Sequence, residues 1–179
     1  MACLRLRLGG SHKAAGKEVI SPRTIDIILQ AAKASGVSPL LAVAVCEVES
    51  AGDNYAMRYE PNWKYAFEVE KFAKLNRITA ETERQLQCFS FGLMQVMGTV
   101  ARELGHMGPL VKLTDPYIGA KYGCLKLAKL SAVLKSTDDV IAAYNAGSPK
   151  MTADGKYVNQ HYVDKVNSYL KPVITTVSV

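Results

Sequence analysis

Three features of this 179-residue chain predict a mainly α, single-domain fold. Prolines open and glycines close successive segments, and apolar residues within those segments recur at helical spacing. The longest apolar run, Leu40 to Cys46, stops at seven residues. A chain of this length buries roughly 70% of its unfolded surface without disulfide or metal staples. With 49% apolar and 21% charged residues, it has the composition of an ordinary globular protein and not of a disordered one.

The elements follow in order. Ser21-Pro22 opens a helix with Ile25, Ile28, Leu29 and Ala32 on one face, and Gly36 stops it. Ser38 caps a second helix with Pro39 at its first position, ended by Gly52. Asn62 is placed to cap a third, carrying Trp63, Phe67 and Leu75, and Thr79 a fourth that runs to Gln87. A short helix covers Thr99 to Leu104, before Gly105. Asp115-Pro116 opens a helix in which Ile118, Tyr122 and Leu125 align. Asp138 and Asp139, after Thr137, put negative charge at the positive end of the next helix, which Gly147 terminates. The last helix spans about Gln160 to Leu170, before Pro172. Residues 1–20 read as a poorly ordered basic segment, 21–171 as the domain and 172–179 as a tail.

The second helix carries the first chemical signal. Glu49 has Val45 and Cys46 one turn behind it and Leu41 and Ala42 two turns behind, so it emerges from an apolar face. It also lies at the negative end of the helix dipole. Both effects favour the protonated acid and predict a raised pKa, as a proton donor near neutral pH requires. Alternatively, Glu49 curls out to solvent at a frayed end. Glu47 competes, because Val43 and Ala44 lie one turn behind it, and spacing does not choose between them. Two further apolar segments deliver polar groups: "CFSFGLMQVM" surrounds Gln95, and "DVIAAYNAG" ends in Tyr144 and Asn145. Each alone is ordinary core architecture; together they resemble the lining of a cleft.

In this order, Glu49-Ser50, "GLMQVM" (92–97) and "AAYNAG" (142–147) resemble the lytic transglycosylase catalytic domain. The soluble murein transglycosylases of phage and prophage are the nearest in type, within the goose-type-lysozyme-like superfamily. "LTDPYIGAKYGCLKLAKL" and "YVNQHYVDKV" share the resemblance, which covers Ser21 to Leu170. It implies a lysozyme-like helical fold with a substrate cleft, and cleavage of peptidoglycan between N-acetylmuramic acid and N-acetylglucosamine. It favours Glu49 over Glu47, as general acid and then general base, with a 1,6-anhydro product. Tyr144 would orient Glu49 by a hydrogen bond. Ser50, Gln95, Asn145 and Met94 would line the sugar site, and Ser90 would stand in for a hydroxyl ligand whose usual place Arg58 occupies. Residues 59–87 read as an insertion relative to many relatives.

The scheme needs no metal and no cofactor, and His12, His106 and His161 have no paired ligand spacing; each reads as a surface or loop histidine. A second carboxylate, Asp53 or Glu60, would instead favour a hydrolytic muramidase of endolysin type. Their alternatives are a turn beside Gly52 for Asp53 and a salt bridge with Arg58 for Glu60. A non-catalytic glycan-binding scaffold is the reading outside enzymes.

The formal charge of +6 suits an anionic partner such as the cell wall, or simply solubility. Dispersed lysines and the lack of a basic helix face argue against nucleic acid. "GSHKAAGKE" fails as a phosphate loop, with five residues between its glycines and Glu18 where Ser or Thr belongs. Cys46 and Cys124 read as buried thiols; a disulfide involving Cys88 stays open, and Cys3 lies at the start of the chain. No signal-peptide core or membrane span is visible. The expectation is a monomer made in the cytoplasm that reaches the wall through a membrane lesion, a phage particle or a secretion apparatus.

Overall fold

The computed structural model describes residues 20–170. The tail at 172–179 lies outside them, as does the N-terminal segment up to residue 19, with Cys3 and His12. Within them run eight α-helices and a small sheet: α1 (Pro22–Ser35), α2 (Pro39–Ser50), β1 (Met57–Tyr59), α3 (Val69–Asn76), α4 (Ala80–Gln87), β2 (Phe89–Phe91), β3 (Val96–Met97), α5 (Gly98–Glu103), α6 (Pro116–Ser131), α7 (Thr137–Ala146) and α8 (Gln160–Leu170). A 3₁₀ turn, Leu110–Thr114, precedes α6.

Capping fixes most helix starts. The hydroxyls of Ser21, Ser38 and Thr79 accept from the backbone N–H three residues on, and the Asp115 carboxylate accepts from those of Tyr117 and Ile118. Ser136, one residue before Thr137, does the same for α7. At the end of α2 the left-handed position falls to Ala51 (φ 53°), one residue before Gly52. In α2 every residue from Leu41 to Cys46 is buried, as an all-round apolar helix must be. It packs against α1 and α8, while α6 bridges α1 and α7. These five helices supply much of the core, with α8 packed against both α2 and α7.

Two parts differ from the sequence reading. The helix expected from Asn62 starts only at Val69, because tertiary hydrogen bonds hold the preceding stretch open. The Trp63 indole N–H donates to the Thr99 hydroxyl at 3.0 Å. The Gln87 side-chain amide pairs with both backbone groups of Phe67, at 2.7 and 2.9 Å, as a neighbouring strand would. Glu68 then turns the chain through the left-handed region (φ 43°). The second difference is the antiparallel sheet β1-β2-β3, which pairs Arg58 with Ser90 and Ser90 with Met97. Strands of two and three residues are too short to show alternation.

The segment 59–87 is fastened to the rest by a buried ion pair. Arg102 on α5 grips Glu83 on α4 through two bonds of 2.8 and 2.9 Å, both side chains fully buried. Arg102 also donates to the carbonyls of His106 and Gly108 and lies 4.3 Å from the Phe72 ring centroid. With each of its three nitrogens donating to a partner, the guanidinium tolerates burial. His106 lies in the loop after α5, as one of its two readings had it, and is buried there: its ring lies edge-on to Tyr122 and within 3.1 Å of the Pro109 carbonyl. Cys46, Cys88 and Cys124 are free thiols.

Candidate active site

The apolar run of α2 delivers Glu49 to the interior in its last turn. The side chain is partly buried, and Tyr162 on α8 donates its hydroxyl to the carboxylate at 2.6 Å. Burial raises the Glu49 pKa above the usual carboxylate range. The Tyr162 hydrogen bond opposes this, followed by the positive charges of Lys126, Arg58 and Lys165. Desolvation wins, so the protonated acid is favoured. Burial and the neighbouring Glu49 push the Tyr162 phenol far upward, so it remains a hydrogen-bond donor at any working pH.

Ser50 ties Glu49 to the second motif. Its hydroxyl donates to the Leu93 carbonyl at 2.8 Å and accepts from the Gly52 N–H at 3.2 Å. The segment 92–95 is a tight turn entered by Gly92 at φ 67°, where an added Cβ would collide with the Leu113 carbonyl. Gln95 closes the turn in a left-handed conformation (φ 43°), uncommon for a residue with a side chain. Its amide donates to the carbonyls of Ala56 and Gly92, both at 3.0 Å, and its carbonyl accepts from Ser90 at 2.8 Å. Gln95 and Ser90 thus hold the turn against β1 and β2, with the half-exposed Gln95 edge still open to solvent.

Met94 is fully buried, seated where Gly123 of α6 lacks a side chain. Its carbonyl accepts the Tyr144 hydroxyl at 2.7 Å. That contact corrects one expectation: the hydrogen bond from Tyr144 to Glu49 is not formed. Tyr144 is 2% exposed, and its hydroxyl is spent on the turn. The tyrosine bonded to Glu49 is Tyr162, which the sequence reading passed over, although it sits within the quoted "YVNQHYVDKV". Lys126 of α6 was passed over too; it donates to the Tyr144 carbonyl at 2.7 Å.

The remaining candidates lie around this group. Asn145 is exposed, its side-chain oxygen accepting from Asn159 at 2.9 Å. Asp53 is exposed and accepts the Tyr55 N–H at 2.8 Å, which makes it a turn residue. Glu60 pairs with Arg58. Glu47 lines a different, apolar pocket between Ile25 and Leu29 of α1, Leu40 and Val43 of α2, and Tyr169 of α8. The helical turn therefore separates the two glutamates: Glu49 meets Tyr162, and Glu47 meets the α1 side. Among the described residues no cluster of three or more His, Cys, Asp or Glu side chains could hold a metal, and no helix is long and apolar enough to cross a membrane.

A desolvated carboxyl with a permanent hydroxyl donor and nearby positive charge is equipped to release a proton and later recover it. A family model described as "Transglycosylase SLT domain" matches residues 26–167, which include every residue of this group. No curated protein matches the chain.

Proposed function

The chain belongs to the transglycosylase SLT domain family, and from that premise we propose that Glu49 is its single acid–base group. The family is that of lytic transglycosylase-type enzymes acting on peptidoglycan. In the proposed reaction the Glu49 proton passes to the oxygen between N-acetylmuramic acid and N-acetylglucosamine, and the anomeric carbon–oxygen bond breaks. The substrate's own acetamido group stabilises the oxocarbenium-like centre. The Glu49 carboxylate then takes the proton of the muramic 6-hydroxyl as that oxygen bonds to the anomeric carbon, giving a 1,6-anhydro end without water.

The observation that carries this reading is the partly buried Glu49 carboxyl, bonded to Tyr162 at 2.6 Å at the end of an apolar helix. Tyr162 orients it and steadies the carboxylate. Ser50, Met94 and Tyr144 keep the 92–95 turn beside it, and Gln95, Ser90 and Asn145 offer polar edges to the sugars. Asp53 and Glu60 are engaged in a turn and an ion pair, so water activation by either is the weaker reading.

The test is release of soluble fragments from purified peptidoglycan, with mass analysis of their ends. Glu49→Gln is expected to lose about 10²–10⁴-fold in rate. Equal digestion by both proteins removes the catalytic assignment. Anhydro ends support the transglycosylase, whereas reducing ends mean a hydrolase.

A further inference from the structure

Lys126 is an unusual neighbour for an acid that must stay protonated. It projects from α6 between the buried Cys124 and Leu127, with its ammonium 2.7 Å from the Tyr144 carbonyl and 4.0 Å from the centroid of the Tyr144 ring. That carbonyl lies in the last turn of α7, where helix carbonyls lack helical partners and attract cations. The ring face adds a second attraction. The ammonium is therefore anchored on the tyrosine whose hydroxyl holds the 92–95 turn, the same turn that Ser50, next to Glu49, binds through the Leu93 carbonyl, and its charge acts on Glu49 from there.

We propose that Lys126 is a positioning residue for the reaction, its anchored ammonium stabilising the Glu49 carboxylate that appears when the proton leaves. The inference rests on the reading of Glu49 as the acid–base group. Lys126 bonds to the Tyr144 carbonyl and not to Glu49. It supplies fixed positive charge in a desolvated setting, where charge acts more strongly than in water.

The other charged or titratable groups interacting with Glu49 are Arg58 on β1, Tyr144 on α7, and Tyr162 and Lys165 on α8, while the Cys46 and Cys124 thiols interact with Tyr144. Burial raises both thiols to about 12, and both phenols stay protonated, so neither the thiols nor the phenols change charge near neutral pH. Lys126 is the exception: burial pulls its ammonium down to about 8 while Glu49 pulls it back up. It is still mainly charged at pH 7 and loses that charge just above.

The proposal therefore predicts where the alkaline limb of the pH–rate profile falls. Removing the cation destabilises the Glu49 carboxylate, so Glu49 keeps its proton to higher pH but forms its anion less readily during bond cleavage.

The experiment measures initial rates of fragment release from purified peptidoglycan between pH 4 and 9, with melting temperatures, for wild type, Lys126→Met, Lys126→Gln and Lys126→Arg. Gln retains a donor for the Tyr144 carbonyl without the charge. Both neutral variants are expected to lose about tenfold in kcat, equivalent to one 1.36 kcal/mol step, with KM little changed. Their alkaline limb should move up by about one pH unit. Lys126→Arg should keep the limb at or below the wild-type position, because a guanidinium does not lose its charge.

A folded neutral variant with an unmoved limb overturns the proposal and leaves Lys126 as a cap of α7, visible only as a lower melting temperature. Should neither neutral variant fold, an upward-shifted limb in Lys126→Arg overturns it. Glu49→Gln, measured alongside, separates the two levels. An inactive Glu49→Gln with an unmoved limb removes only the role of Lys126, whereas an active Glu49→Gln removes the reading beneath it.

Discussion

Glu49 is held in a state that folding does not favour at neutral pH. Because its folded pKa is raised, the native state binds the proton more tightly than the unfolded chain does. Its contribution to stability is thus fully present below the unfolded glutamate pKa and is lost as pH rises through the folded value. Glu49→Gln is accordingly expected to melt a few degrees above wild type at pH 7 and close to it at pH 4, measured by calorimetry. The Tyr162 hydroxyl acts in the opposite sense, stabilising the carboxylate. Tyr162→Phe should therefore shift the alkaline limb of the rate profile upward and lower kcat by about tenfold, with the protein still folded. A downward shift would contradict the role given to that hydroxyl. At this scale periodicity put both Glu47 and Glu49 one turn past apolar residues, and the choice of Glu49 came from the order of the motifs, not from spacing. The partner of Glu49 was not legible: Tyr162 lies 113 positions away on α8, and nothing in local spacing tells which tyrosine reaches it.

Helices rather than loops set the spacing of the site. α2 presents Glu49, α8 presents Tyr162, and α6 supports the 92–95 turn from below by leaving Gly123 bare under Met94. A Cβ on Gly123 would lie 2.5 Å from the Met94 Cβ, too close for a rotamer change to relieve. Gly123→Ala is expected to destabilise by about 1–3 kcal/mol, read from chemical denaturation. It should also reduce activity, since the Met94 carbonyl is the anchor of Tyr144. The sequence marked the N-caps of α1, α2, α4 and α6 to the residue, because capping depends on a few neighbouring side chains. It misplaced the start of α3, where Gln87 and Thr99 capture the chain from 20 to 36 positions away. It missed the sheet, whose strands are stabilised by pairing and not by their own composition.

Over the whole molecule, the +6 charge is expected to give a long-range attraction to an anionic wall polymer that no single contact provides. Raising ionic strength from about 0.01 to 0.15 M shortens the screening length from about 30 to 8 Å. Digestion of intact sacculi should slow several-fold over that range, while cleavage of short uncharged glycan fragments should change little. Equal salt dependence on both substrates would assign the effect to the protein's own stability. The segment 59–87 is joined to the domain through the buried Glu83–Arg102 pair. In sequence these are only a glutamate and an arginine on two short helices, as on any solvated surface.

The sequence by itself determined the helical class, most helix ends, the apolar setting of Glu49 and the order of the three motifs. Each of these depends on residues within a turn or two of one another. The tertiary structure decided which hydroxyl meets the acid, which tyrosine supports the turn, and which lysine stands near both. Those pairings depend on how α2, α6, α7 and α8 cross in space, and a one-dimensional pattern does not contain helix crossings.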